Sequence, residues 1–204
     1  MGQHHQELEV KLYLADLPAF KQRLENSGGQ LLEERMHEIN LRFDLPDGEL
    51  TRTAQVLRLR QDTSARMTYK GPGETIAGVH ARREIEFTVG DFESAQALLE
   101  ILGYQVSLMY EKYRTTYSLG GVQVTLDEMP YGNFTEIEGS DTSAIHRVTE
   151  RLGLSWDARI LESYTSLFDH LQNKLGLTFR DLAFKNFVEL EITPEDLGVT
   201  PADQ

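Results

Sequence analysis

Apolar and charged residues alternate with period two along most of this chain. In segments 7–14, 36–45, 55–61, 65–70, 82–89, 107–119, 122–128 and 133–138, one parity carries mainly Leu, Ile, Val, Phe or Tyr. The other carries mainly Glu, Asp, Lys, Arg or Thr. Successive side chains of a strand point to opposite faces, so the pattern predicts eight strands, each with one apolar and one charged face. Helical spacing takes over from about Leu17 to Asn26, Phe92 to Leu102, Thr142 to Leu152 and Leu161 to Leu175. Asp16 and Asp91 are placed as N-caps, Pro18 sits in a first turn, and Gly28, Gly103, Gly153 and Gly176 stop the helices. Turn residues mark the linkers Pro46-Asp47-Gly48, Gly71-Pro72-Gly73, Gly120-Gly121 and Pro130-Tyr131-Gly132.

The order of these elements repeats. Glu7-Leu8-Glu9 opens one half and Glu84-Ile85-Glu86 opens another, each followed by an Asp-capped helix, a glycine stop and three strands. The halves close on Tyr69-Lys70-Gly71 and Ile137-Glu138-Gly139. Each half reads β-α-β-β-β, which favours a duplicated unit.

The charged faces carry the chemistry. Taken strand by strand, a charged face in water and an apolar face under helices would explain each one. Together they repeat tight pairs of like sign: Glu7/Glu9, Arg58/Arg60, Lys112/Arg114 and Glu136/Glu138. Residues two apart on one face stand roughly 6–7 Å apart along a strand, and like charges at that distance repel, most of all where solvent is scarce. Such pairs are tolerable facing a ligand of opposite sign. Paired carboxylates suit a hard divalent cation such as Mg²⁺ or Mn²⁺, and paired Arg and Lys suit phosphate oxygens. Both sets inside one closed antiparallel barrel, with the apolar faces outward under helices, describe an α+β fold with a metal–polyphosphate site.

Composition narrows the partners. The 204 residues carry a formal net charge of −13, which disfavours duplex nucleic acid or an anionic membrane as the main partner. No cysteine is present, so disulfides and thiolate metal sites are excluded. No apolar run reaches the ~18 residues of a membrane helix, and Met1 to Glu9 lacks an apolar signal segment. The expectation is a cytoplasmic protein, monomer or homodimer, acting on a small molecule.

At Glu7-Leu8-Glu9-Val10-Lys11 the chain resembles the ExExK signature of the CYTH superfamily, the triphosphate tunnel metalloenzymes. The motifs Arg58-Leu59-Arg60, Thr68-Tyr69-Lys70-Gly71, Arg82-Arg83-Glu84-Ile85-Glu86, Lys112-Tyr113-Arg114, Leu126-Asp127-Glu128 and Phe134-Thr135-Glu136-Ile137-Glu138 follow in the family's order, and Ser163-Tyr164 with Leu167 looks like its C-terminal helix. The resemblance implies an eight-stranded tunnel over residues 1–170, with 171–204 as a partly helical tail packing on it. It implies metal ligands at Glu7, Glu9 and Glu138, with Glu136 and Asp127 nearby as second-metal ligands or water-orienting groups. It implies phosphate contacts from Lys11, Arg58, Arg60, Lys70, Lys112 and Arg114, and from Arg82 unless a bulge turns Arg83 inward. Glu136, Lys11 and Asp127 are the candidate catalytic groups. Glu84 and Glu86 are either ligands or ion-pair partners of the basic set.

The function expected from this resemblance is metal-dependent hydrolysis of a triphosphate: tripolyphosphate, thiamine triphosphate or a nucleoside triphosphate. Adenylate cyclisation of ATP by the same cage is the alternative, and a non-catalytic triphosphate sensor is a third. Other features are weaker. His4 and His5 belong to a fraying terminus, Gly71-Pro72-Gly73 lacks P-loop spacing and reads as a mobile connection beside an exposed His80, and the apolar Phe179, Leu182 and Phe184 point to packing at one tunnel mouth.

Overall fold

A computed structural model describes residues 5–76 and 79–204. Nine strands form one sheet: β1 (His5–Leu14), β2 (Gln30–Asp44), β3 (Val56–Gln61), β4 (Ala65–Ile76), β5 (Val79–Val89), β6 (Gln105–Leu119), β7 (Val122–Met129), β8 (Gly132–Gly139) and the two-residue β9 (Arg159–Ile160). Six helices accompany them: α1 (Leu17–Asn26), α2 (Glu49–Arg52), α3 (Phe92–Ile101), α4 (Thr142–Arg151), α5 (Tyr164–Leu175) and α6 (Pro194–Leu197).

The strand order is β5-β4-β3-β2-β6-β7-β8-β1-β9, and β5 also pairs with β1. That last pairing closes the first eight strands into a ring in which every neighbour is antiparallel. Corresponding strands of the two halves meet each other, β1 with β5 and β2 with β6. Exchanging each strand with its counterpart returns the same ring, so the β-α-β-β-β repeat survives as a pseudo-twofold arrangement.

The apolar faces point outward, and helices cover much of them. Val10, Leu12 and Leu14 of β1 join Val124, Leu126 and Ile137 beneath Phe20 and Leu24 of α1 and Ile145 and Val148 of α4. Burying such a side chain contributes about 1.5–3 kcal/mol. A smaller cluster places Leu99 of α3 over Leu59 and Phe43. The aspartate caps set the helix starts: Asp16 accepts from Ala19 N at 2.9 Å, Asp91 from Ser94 N at 2.7 Å and Asp141 from Ser143 N at 3.1 Å. Gly120 and Gly121, with φ of 59° and 84°, form the tight β6–β7 turn that side chains rarely adopt.

Several boundaries differ from the sequence expectation. Gly71-Pro72-Gly73 does not connect two strands but lies within β4, where the ladder to β5 shifts register between Lys70 and Gly73. A bulge leaves one residue unpaired, so a proline without an N–H is tolerated there. The helix expected from Leu161 begins at Tyr164; Ser163 caps it by accepting from Ser166 N at 3.1 Å, and β9 lies just upstream. The strand expected from 36 begins at Gln30, through register shifts near Glu33 that spoil its alternation.

The third apolar cluster lies at one end of the ring. Tyr13, Tyr110 and Phe134 continue the inward parity of their strands, yet they pack with Tyr164, Leu167, Phe168 and Leu171 of α5. Leu182, Phe187 and Leu197 of the C-terminal segment join the same cluster. Leu182 bridges Tyr110, and Pro201 bridges Tyr13. This end of the ring is therefore filled with apolar side chains, and the charged site occupies the rest.

Candidate functional site

Ring closure turns the charged faces inward onto a cavity of about 1390 Å³. Lys11, Arg58, Arg60, Lys70, Arg82, Lys112 and Arg114 all line it, as do Glu9, Glu136 and Glu138. At the Arg82-Arg83 pair it is Arg82 that lines the cavity, whereas Arg83 is exposed. The side chains of Glu7, His5 and His80, and all of His4, lie outside the described residues. The Glu7 backbone is described, in β1 opposite Arg82.

The ladder register decides which charges meet. Lys11 stands opposite Glu136, Glu38 opposite Lys112, Arg114 opposite Asp127, and Lys70 opposite Glu84. Directly opposed side chains have Cβ atoms about 4.5–5.5 Å apart, close enough to pair. Lys70 Nζ reaches Glu84 at 2.9 Å, Lys11 Nζ reaches Glu136 at 3.5 Å, and Arg82 reaches Glu9 at 3.8 Å. Glu84 and Glu86 thus take the ion-pair role: Glu86 receives Arg60 at 3.2 Å and Arg58 at 3.5 Å.

Asp127 does not line the cavity. It is 0% exposed and both oxygens are taken. Arg114 donates to each of them, Lys112 Nζ donates to Oδ2 at 3.1 Å, and the Tyr164 hydroxyl donates to Oδ2 at 2.8 Å. A carboxylate so enclosed has no edge left for a solvated ion or an attacking water, so its observed place is that of an anchor beneath the basic pair. Glu136 is also drawn toward the bases, through Arg114 and Lys11. Burial alone would raise its carboxyl, but Arg114, Lys11, Lys112 and Lys70 hold it far below the usual carboxylate range.

Glu9 and Glu138 stand directly opposite each other across β1 and β8. They present hard oxygen donors from adjoining strands to the same cavity. No group of three Asp, Glu or His side chains gathered for one ion occurs among the described residues; the expected set of Glu7, Glu9, Glu136 and Glu138 is represented there by the opposed pair, with Glu136 committed to ion pairs.

Several lining groups were missing from the expected site, among them Arg42, Arg66 and Asp169, and two of them, Glu38 and Tyr164, hold the basic set in place. Glu38, 4% exposed, lies 3.6 Å from both Arg60 and Lys112. Its signal was the inward parity of Glu38, Asn40 and Arg42 on one strand face. Burial opposes its ionisation, but Lys112, Arg114, Arg60 and Arg58 bring its pKa down to about 2. Tyr164 forms part of the floor: Lys11 Nζ sits 4.4 Å and Lys112 Nζ 5.5 Å from its ring centre. Lys11 also donates to the Glu162 carbonyl at 3.0 Å. No strand pattern signals such a contact, because it depends on where α5 docks.

A closed antiparallel ring of eight strands with a charged interior and helices outside is the tunnel architecture of the CYTH fold. The CYTH domain family profile matches residues 5–157, so the chain belongs to the CYTH family. It is 27% identical over 193 residues to a protein of Aeromonas hydrophila named adenylate cyclase CyaB, an alignment covering 91% of this chain and 90% of that one. The crystal structure of a Vibrio parahaemolyticus protein described as a putative adenylate cyclase superposes with a TM-score of 0.69 at 26% identity, covering 82% of this chain and 99% of that chain. A Hippeastrum protein, described as a putative adenylyl cyclase with a dominant triphosphatase activity, shares the fold at 20% identity and a TM-score of 0.62, covering 80% and 95% of the two chains. No helix among the described residues is long and apolar enough to cross a membrane.

Proposed function

We propose that this protein hydrolyses triphosphates in a divalent-metal-dependent reaction inside the barrel. The observation that carries the proposal is the convergence of nine basic side chains, the seven above with Arg42 and Arg66, on one cavity that also holds the opposed Glu9 and Glu138. Phosphate chains are the ligand class matched by guanidinium and ammonium donors arrayed along several strands. Glu9 and Glu138, with Glu7, would hold Mg²⁺ or Mn²⁺, hard cations suited to their oxygens. Such an ion, when bound, neutralises phosphate charge and polarises the scissile group.

The chain's own residues do the rest. Lys11, Arg58, Arg60, Lys70, Arg82, Lys112 and Arg114 bind the extended chain and stabilise charge on the phosphoryl group in the transition state. Asp127, Glu38 and Tyr164 hold Lys11, Arg60, Lys112 and Arg114 in place, so these four need little reorganisation during the reaction. Glu136 remains ionised at neutral pH and accepts a hydrogen bond from water. Its strongly depressed pKa makes it a poor proton acceptor, so it orients the nucleophile rather than deprotonating it.

A second reading is cyclisation of ATP to cyclic AMP and pyrophosphate. Its support is the Aeromonas relative's name, on an alignment spanning nine-tenths of both chains. The likeness to the Hippeastrum protein is one of fold and favours neither reaction. Cyclisation demands that the ribose 3′-hydroxyl be held in line with the α-phosphorus, and misplacement there is costly. Water attack on the terminal phosphorus needs no grip on the nucleoside, and the described cage consists of phosphate-directed groups. The test is chromatography of products from tripolyphosphate, thiamine triphosphate and ATP, each with Mg²⁺ and Mn²⁺. Hydrolysis predicts phosphate release, fastest from tripolyphosphate. Cyclic AMP as the main product from ATP would reverse the order of the two readings.

A further inference from the structure

Each of the seven basic side chains named above has a carboxylate partner, so most of the positive charge of the cavity is met from within; Arg42, which also lines the cavity, donates instead to the Thr165 hydroxyl. The partners differ in how firmly they are held. The Asp127 side chain is 0% exposed and that of Glu38 is 6% exposed. The Glu86 side chain is 32% exposed, and besides the two arginines it holds one further contact, from the Thr68 hydroxyl at 2.8 Å. It bridges Arg58 and Arg60, the like-charged pair best placed to receive one phosphate group with two guanidinium forks.

We infer that Glu86 is a displaceable internal counter-anion, occupying between Arg58 and Arg60 the seat that a substrate phosphate takes. A bound phosphate chain and the Glu86 carboxylate compete for the same two guanidinium groups. Both cannot stay, because adjacent anions in a cavity of restricted solvent repel. Glu86 has an exit to solvent that Asp127 and Glu38 lack. Its removal from the seat costs the two ion pairs and the Thr68 hydrogen bond, and only a ligand of high negative charge repays that loss. Glu86 therefore sets a charge threshold on what the tunnel retains, admitting triphosphate and holding single phosphate weakly. Its return to the arginines after cleavage opposes retention of the product.

This rests on the reading of the cavity as a triphosphate site, and the test separates the two. Binding of tripolyphosphate and of inorganic phosphate is measured by titration calorimetry for wild type, Glu86→Gln and Thr68→Val, in EDTA and in Mg²⁺. Glu86→Gln keeps the shape and an acceptor for Thr68 but removes the competing charge, so its Kd for tripolyphosphate is expected to fall about tenfold, the factor equivalent to one charge-assisted interaction. Inorganic phosphate binding is expected to strengthen in the same direction. Thr68→Val leaves the charge but removes the hydroxyl that holds Glu86 and also accepts from Arg58 at 3.1 Å; freeing both the anion and one guanidinium, it is expected to tighten binding by a smaller factor. Unchanged or weaker tripolyphosphate binding in both variants, with wild type binding normally, overturns the counter-anion and leaves the site standing. Absence of tripolyphosphate binding in all three proteins overturns the site and the counter-anion with it.

Discussion

Replacing Asp127 by asparagine gives the sharpest test of how the basic cage is supported. The carboxylate is fully buried and carries four donor contacts from Lys112, Arg114 and Tyr164. The amide is nearly the same size, so no cavity forms and the change is one of charge. Breaking a buried ion pair by neutralising one partner typically costs about 3–5 kcal/mol. Here Arg114 keeps Glu136 and Lys112 keeps Glu38 at 3.6 Å, so the cost belongs at the lower end, about 3 kcal/mol. For a chain of this length that corresponds to a fall of roughly 6–12 °C in Tm. Urea and thermal unfolding of the ligand-free protein at neutral pH measure it. Tripolyphosphate is expected to recover part of the loss, because it supplies anionic charge to the same two cations. A drop in Tm under about 2 °C, which is under roughly 1 kcal/mol here, would refute the anchor role and return Asp127 to the list of groups that act directly on substrate.

Two other outcomes are expected. Glu9→Ala abolishes turnover while leaving the urea midpoint within about 1 kcal/mol of wild type, as expected for a cavity-facing carboxylate outside the apolar clusters; full activity in this variant excludes Glu9 from the metal pair. Acid unfolding carries the signature of Glu38, whose pKa falls from 4.5 unfolded to about 2 folded. A depressed carboxyl contributes stability that is present above the unfolded pKa and lost as pH drops through the folded one, so about 3 kcal/mol disappears between pH 4.5 and pH 2. Glu38→Gln is expected to flatten the stability profile in that window, and parallel profiles for the two proteins would contradict it.

The sequence by itself determined the strands, their two faces and the order of the chemistry along them. Period-two alternation is a local property, so Glu9 with Lys11, Arg58 with Arg60, and Lys112 with Arg114 were placed on shared faces from spacing alone. The repeat of β-α-β-β-β was legible for the same reason, and Asp16 and Asp91 marked two helix starts; the third aspartate cap, Asp141, came from the structure. Parity does not say which side of a sheet is inside. The β5–β1 pairing decides that, because it closes the ring and leaves helices only the apolar side to cover. Nor does parity say which acid meets which base. That follows from ladder register, which sets Glu9 against Glu138 and seals Asp127 beneath Arg114. Asp127 and Glu136 look alike in sequence, as inward carboxylates on neighbouring strands, yet one is sealed and the other reaches the cavity. Tyr164 entered the site only through the docking of α5 across the ring, 153 residues along the chain from Lys11, whose ammonium it underlies. Local pattern fixes the face a residue belongs to. The long-range contacts that bring faces together fix its charge environment, and hence its role.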